Sequence, residues 1–104
     1  MAWLLHEGQV LASCNSPATH YRMRAIDHES EGAVLVTLRK TFVSPRSGLD
    51  LVQLDRDLVV IDLCSCRSRR LFVRRRRCEV AVIAVPGALV RWHLEIGDRL
   101  EIRS

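Results

Sequence analysis

No stretch of this chain approaches the roughly 18 to 20 consecutive apolar residues that a membrane-spanning helix needs. The opening residues, Met1 to Glu7, lack the basic start and long apolar centre of a signal peptide. No membrane association is therefore expected, and the expected compartment is the cytoplasm. The five glycines are scattered, so no glycine-rich loop is present to cradle a phosphate. No Gly-x-Ser-x-Gly elbow or activated-cysteine motif marks a nucleophile. Cysteine offers little more: Cys14, Cys64, Cys66 and Cys78 form one C-x-C and two isolated positions, whereas zinc sites use C-x₂₋₄-C pairs twice. His6, His20, His28 and His93 stand outside any such spacing. On a strand, Cys64 and Cys66 share a face about 7 Å apart, too far for an unstrained disulfide. Reduced thiols acting as small apolar fillers fit this pattern best. No metal and no cofactor are expected.

What the chain does have is enough apolar material for one core. It has 104 residues, 48% of them hydrophobic, which suits a single domain over residues 1–104 that needs neither metal nor disulfide. Residues 3–6 and 9–13 flank Glu7-Gly8, a hairpin with glycine where φ is positive. Ser16-Pro17 reads as an N-cap followed by proline at the first helical position, with a short helix over residues 17–26. Residues 27–32 form a polar loop. Gly32 to Leu38 is β-branched and uncharged, a buried strand, and Thr41-Phe42-Val43 either extends it or begins another. Ser44 to Gly48 is a loop. Leu49–Leu54 and Leu58–Cys64, joined by Asp55-Arg56-Asp57, make the clearest hairpin. On its second strand Val59, Ile61 and Leu63 are expected on one face, with Val60, Asp62, Cys64 and Cys66 on the other. Residues 78–85 form a further strand. Pro86-Gly87 opens a short helix with Ala88, Leu89 and Trp92 on one side. Gly97-Asp98 is a turn in which the Asp side chain accepts a backbone N–H, and residues 99–103 close the chain as a strand. Seven or eight short strands and one or two short helices predict a mainly β domain, a small jelly-roll-like sandwich or a partly closed barrel.

Charge is unevenly placed. Residues 1–63 carry six basic and eight acidic side chains; residues 64–104 carry ten basic and four acidic. Lys40 is the only lysine against fifteen arginines, a ratio produced either by GC-rich codon usage or by selection for arginine chemistry. Arg67, Arg69, Arg70, Arg74, Arg75, Arg76 and Arg77 fall within eleven residues, interrupted by Leu71-Phe72-Val73. Such a block is either a solvated surface or a contact region for phosphates of nucleic acid or another polyanion. Phe72 reads as a core anchor, with base stacking the alternative. If residues 74–77 form a strand, Arg74 and Arg76 share one face and Arg75 and Arg77 the other.

The order of motifs resembles one known family. Trp3-Leu4-Leu5, Thr41-Phe42, Leu49-Asp50-Leu51, Leu54-Asp55-Arg56-Asp57 and the closing segment from Gly87 to Arg103 are similar to the family called Domain of Unknown Function 192, in its actinobacterial style, over nearly the whole chain. The resemblance implies a jelly-roll-like sandwich with a short helix or two, and no established activity. The chain departs from the family at two points. Val43 to Asp50 replaces a Gly-Met-x-Phe-Pro-Ile-Asp pattern with one extra residue, and Ile83 stands where the family often has Glu. Asp50 alone survives of the family's most suggestive polar positions.

Asp50, between Leu49 and Leu51, is either a buried functional carboxylate or one on the solvent side of its strand. With Thr41 and Phe42 it forms the candidate ligand site. No second carboxylate pairs with it, so acid/base catalysis finds no support. The leading expectation is a binding or accessory module without a catalytic set, serving a protein or small polar ligand. Polyanion binding through Arg67–Arg77 is the alternative, and an enzyme pocket around Asp50 comes third.

Overall fold

Turn chemistry sets the frame. In the computed structural model, which describes residues 2–18, 33–38, 40–44 and 46–103, Glu7 and Gly8 both take positive φ, the mirror-image turn that matches strand twist. They join β1 (Ala2–His6) to β2 (Gln9–Ala18). The second hairpin joins β5 (Leu49–Leu54) to β6 (Val60–Cys66). Its turn is closed by Asp55, whose Oδ1 accepts the N–H groups of Asp57 at 2.8 Å and Val59 at 3.0 Å. The remaining elements are β3 (Ala33–Val36), β4 (Thr41–Val43), β7 (Leu71–Val73), β8 (Val80–Ala84), α1 (Ala88–Trp92) and β9 (Leu100–Arg103).

Seven strands form one sheet in the order β6-β5-β8-β3-β2-β1-β9, and β4 and β7 form a separate antiparallel ribbon. Neighbours in the large sheet run antiparallel except β2 and β3, which are parallel. The sheet curls until its two edges touch. Val59 bridges Arg99, and the Val60 N–H donates to the Asp98 carbonyl at 2.7 Å. Closure stops there, so the fold is mainly β and partly closed, with the ribbon as a second layer.

The two faces of the curled sheet build two cores. The inner one gathers Leu4, Leu35, Val52, Leu54, Val60, Val82 and Leu100 with Ala88 and Trp92 of α1. The outer one packs Val36, Leu49, Leu51, Cys66, Cys78 and Ile83 beneath Phe72 of the ribbon. β5 supplies both, and all six of its residues are buried. Each fully enclosed leucine on it contributes roughly 1.5–3 kcal/mol relative to an exposed one.

Several expectations need correction. The strand β2 runs on through Ser16-Pro17 to Ala18, where a helix was expected, because its backbone pairs with β3: Asn15 sits opposite Val34 and Ala18 opposite Val36. Residues 19–26 of the expected helix lie outside the described residues. Thr41–Val43 begins a new strand in the ribbon. Leu71–Val73 is also a strand, so nine strands and one helix occur among the described residues. Pairing shifts between Gln53↔Asp62 and Leu54↔Val60, leaving Ile61 as a bulge. That extra residue turns Val60 inward with Leu63, away from the face of Cys64 and Cys66.

Candidate functional site

Asp50 lies on the inner face of β5, opposite Ser65 of β6 and Ala84 of β8. It is 0% exposed. Its Oδ2 accepts the backbone N–H of Gly87 at 3.1 Å and of Leu89 at 2.9 Å, and its Oδ1 accepts the Ser65 hydroxyl. Those two N–H groups belong to the first turn of α1, which has no side-chain cap of its own. Asp50 is thus a cap supplied from a strand: a carboxylate that satisfies orphan donors and pins the helix to the sheet. Three donors and complete enclosure leave it no access to a ligand. Thr41 is exposed on the ribbon, which covers the opposite face of the sheet, so the structure does not bring Asp50 and Thr41 together. Phe42 pairs with Phe72 through the backbone.

The ribbon is held to the sheet by buried polar groups that sequence reasoning missed. Gln53, 1% exposed on the outer face of β5, accepts the Arg75 N–H at 2.7 Å through Oε1 and donates from Nε2 to the Val73 carbonyl at 3.3 Å. Ser44 acts within the ribbon, tying the end of β4 to the start of β7. Its Oγ accepts the Arg70 N–H at 2.8 Å and donates to the Ser68 carbonyl at 3.1 Å, while its own N–H donates to the Arg70 carbonyl. Gly48 brings the preceding loop hard against this segment. Its φ is +77°, and a Cβ there would collide with the Cys66 carbonyl oxygen and the Arg67 backbone, so only glycine fits. An amide inside the otherwise apolar run Leu51–Leu54 was the one available sequence signal. Ser44 carried none.

These anchors fix the backbone from Arg67 to Arg77, whose arginines are mostly solvent-facing. Arg67, Arg69 and Arg70 precede β7; Arg74 to Arg77 follow it, with residues 76 and 77 in a turn and no strand through residues 74–77. All seven are exposed except Arg74, which is half-buried with Nη1 3.4 Å from the Leu38 carbonyl. Arg75 pairs with Asp62 at 3.4 Å. Arg70 lies over the Phe72 ring, 5.7 Å from its centroid, and 3.5 Å from Cys64 Sγ. Arg67, Arg69, Arg76 and Arg77 have no acidic partner among the described residues.

Between the two arginine groups the ribbon shows an apolar face. Val43, Leu71 and Val73 are 48%, 60% and 63% exposed, and register places Val43 opposite Leu71 and Thr41 opposite Val73 on the same side. Phe72 turns the other way, into the core.

The thiols sit in or against the outer core. Cys66 and Cys78 are buried and Cys64 is half-buried, all three unbridged. Burial raises the Cys64 thiol above its usual range despite the opposing Arg70 guanidinium. Burial likewise raises Cys78. Neither is poised as a thiolate. Among the described residues no three His, Cys, Asp or Glu side chains group as metal ligands, and no helix is long and apolar enough to cross a membrane. At the closing turn the Asp98 carboxylate accepts the Glu95 N–H at 2.8 Å, as its sequence position suggested.

No protein-family model matches the chain, and no curated protein matches it in sequence. Among solved structures it is similar to a protein of unknown function from Novosphingobium aromaticivorans DSM 12444, whose crystal structure was determined at 1.22 Å resolution. The TM-score is 0.55 at 12% identity, over 74% of this chain and 61% of the other. The chain thus spans less than two thirds of its neighbour's length, and the likeness at this identity is one of fold alone.

Proposed function

We propose that the chain is a diverged member of the family called Domain of Unknown Function 192, and that it is a binding module for an anionic macromolecule with the β4–β7 ribbon as its contact surface. The family reading is supported by the use the fold makes of the matching residues. Trp3-Leu4-Leu5 lies in β1, Asp50 anchors α1, Asp55 closes its hairpin, and Gly87 to Arg103 builds helix, turn and final strand. The observation that carries the binding reading is the ribbon itself. Two arginine groups stand at the ends of one short strand on a backbone locked by Ser44 and Gln53, with Asp62 the only carboxylate paired to them among the described residues. A pre-ordered scaffold spares the ordering cost of binding, and guanidinium forks match phosphate and carboxylate alike. Catalysis draws no comparable support, because the buried carboxylate is consumed in holding α1.

The test is fluorescence anisotropy with labelled single-stranded and double-stranded nucleic acid and labelled poly-glutamate, titrated with salt. The wild type is compared with a variant carrying Arg74→Ser, Arg75→Ser, Arg76→Ser and Arg77→Ser. Expected is binding of at least one polymer near physiological salt, with a log–log salt slope that falls by roughly one for each phosphate contact removed. No binding by any polymer, or equal binding by the variant, overturns the reading.

A further inference from the structure

The apolar strip between the arginine groups narrows the partner. We infer that the ribbon docks an extended acidic protein segment with aliphatic residues at its centre and carboxylates on both sides, an inference that rests on the anionic-partner reading above. Val43, Leu71 and Val73 form the middle of the exposed face, with Thr41 completing it. Arg67, Arg69 and Arg70 lie toward one end of β7 and Arg74 to Arg77 toward the other. A three-residue strand spans about 10 Å, the reach of about three residues of an extended peptide. An apolar centre within a charged rim is the anatomy of a protein interface, where arginine is enriched and lysine depleted.

Nucleic acid is less well served by the same surface. Recognition of single strands uses aromatic faces on which bases stack. Here Phe72 is turned into the outer core, with Arg70 over its ring. The exposed face offers aliphatic side chains, which gain by burying other aliphatic groups and gain nothing from a sugar–phosphate chain.

Three labelled probes test this: a peptide with Leu-Val-Leu between two Glu-Glu-Glu runs, the same peptide with Ser-Ser-Ser at its centre, and a single-stranded oligonucleotide of equal charge. They are titrated against wild type and a Leu71→Thr, Val73→Thr variant. Both positions are largely exposed, so the exchange leaves the core intact. Expected is a preference of about tenfold for the Leu-Val-Leu peptide over the Ser-centred one, lost in the variant while salt-dependent binding of both peptides persists. Equal binding of the two peptides, or tighter binding of the oligonucleotide, overturns this inference and leaves the anionic-partner reading standing. So does ribbon-dependent binding to vesicles of anionic lipid with no peptide preference. Failure of every anionic probe overturns both.

Discussion

Strand β5 carries one buried polar side chain to each face of the sheet, and the two do different work. Asp50 points inward and holds a helix by its first turn. Gln53 points outward and holds the arginine-bearing segment by the Val73 carbonyl and the Arg75 N–H. The inner anchor is a carboxyl group, fully enclosed and spent on the fold. The outer one is a neutral amide whose effect is to present charges to solvent. A buried group that gathers three donors is costly to lose, whereas an amide with both donor and acceptor ends can tie down a loop at lower stakes. Candidate function therefore belongs to the outer layer, although the inner residue looked the more suggestive in sequence.

The largest effect should come from breaking the inner anchor. Asp50→Ala strips two N–H groups at the start of α1 of their acceptor and leaves a cavity at a fully buried position, and should cost about 3 to 5 kcal/mol in urea unfolding. The loss should be global, because α1 contributes Ala88 and Trp92 to the inner core. Gln53→Leu keeps the volume and removes the tether, and should cost about 1 to 2 kcal/mol. Its signature should be local. Amide hydrogen exchange should rise over residues 70–75 while β1, β2 and β9 stay protected, since those strands touch neither Val73 nor Arg75. Protection lost equally throughout would show that the two layers are one cooperative unit.

The smallest effect is set by pH. Burial raises the thiols of Cys64 and Cys78, so the folded chain holds these protons more tightly than the unfolded chain. The resulting stability is complete below the unfolded thiol range of about 8.5 and is lost as pH rises through the folded values. Both thiols belong to the outer layer, so alkaline titration should loosen the ribbon before the inner core. Hydrogen exchange at neutral and alkaline pH, corrected for intrinsic rates, checks the order.

Much of the frame was legible because it rests on short-range chemistry. Glu7-Gly8, Asp55, Gly87 and Asp98 act within a few residues of themselves, and the two hairpins, α1 and the closing turn follow from them. The missed features depend on distant partners. Asp50 meets Leu89 across a separation of 39 residues and Ser44 meets Arg70 across 26. The helix signal at Ser16-Pro17 yields, at its first two helical residues, to parallel pairing with β3. Leu71-Phe72-Val73 was hidden as a strand by the arginines on either side, yet its alternation placed Phe72 inward and its neighbours outward. The bulge at Ile61 left no trace in composition.

The pairing of β1 with β9 has a consequence for how the protein is made. Trp3 lies opposite Arg103, and His6 opposite Leu100. During synthesis the first hairpin must wait with one edge bare until the residues of β9 leave the ribosome about 95 positions later. Its partner β2 extends well past the turn, and the bare edge of β1 is a template for other nascent chains. Pairing of β1 with β9 should therefore be a late and slow step of folding. Crowded translation of the same message, more than any weakness of the finished domain, is where this chain is most exposed to misassembly.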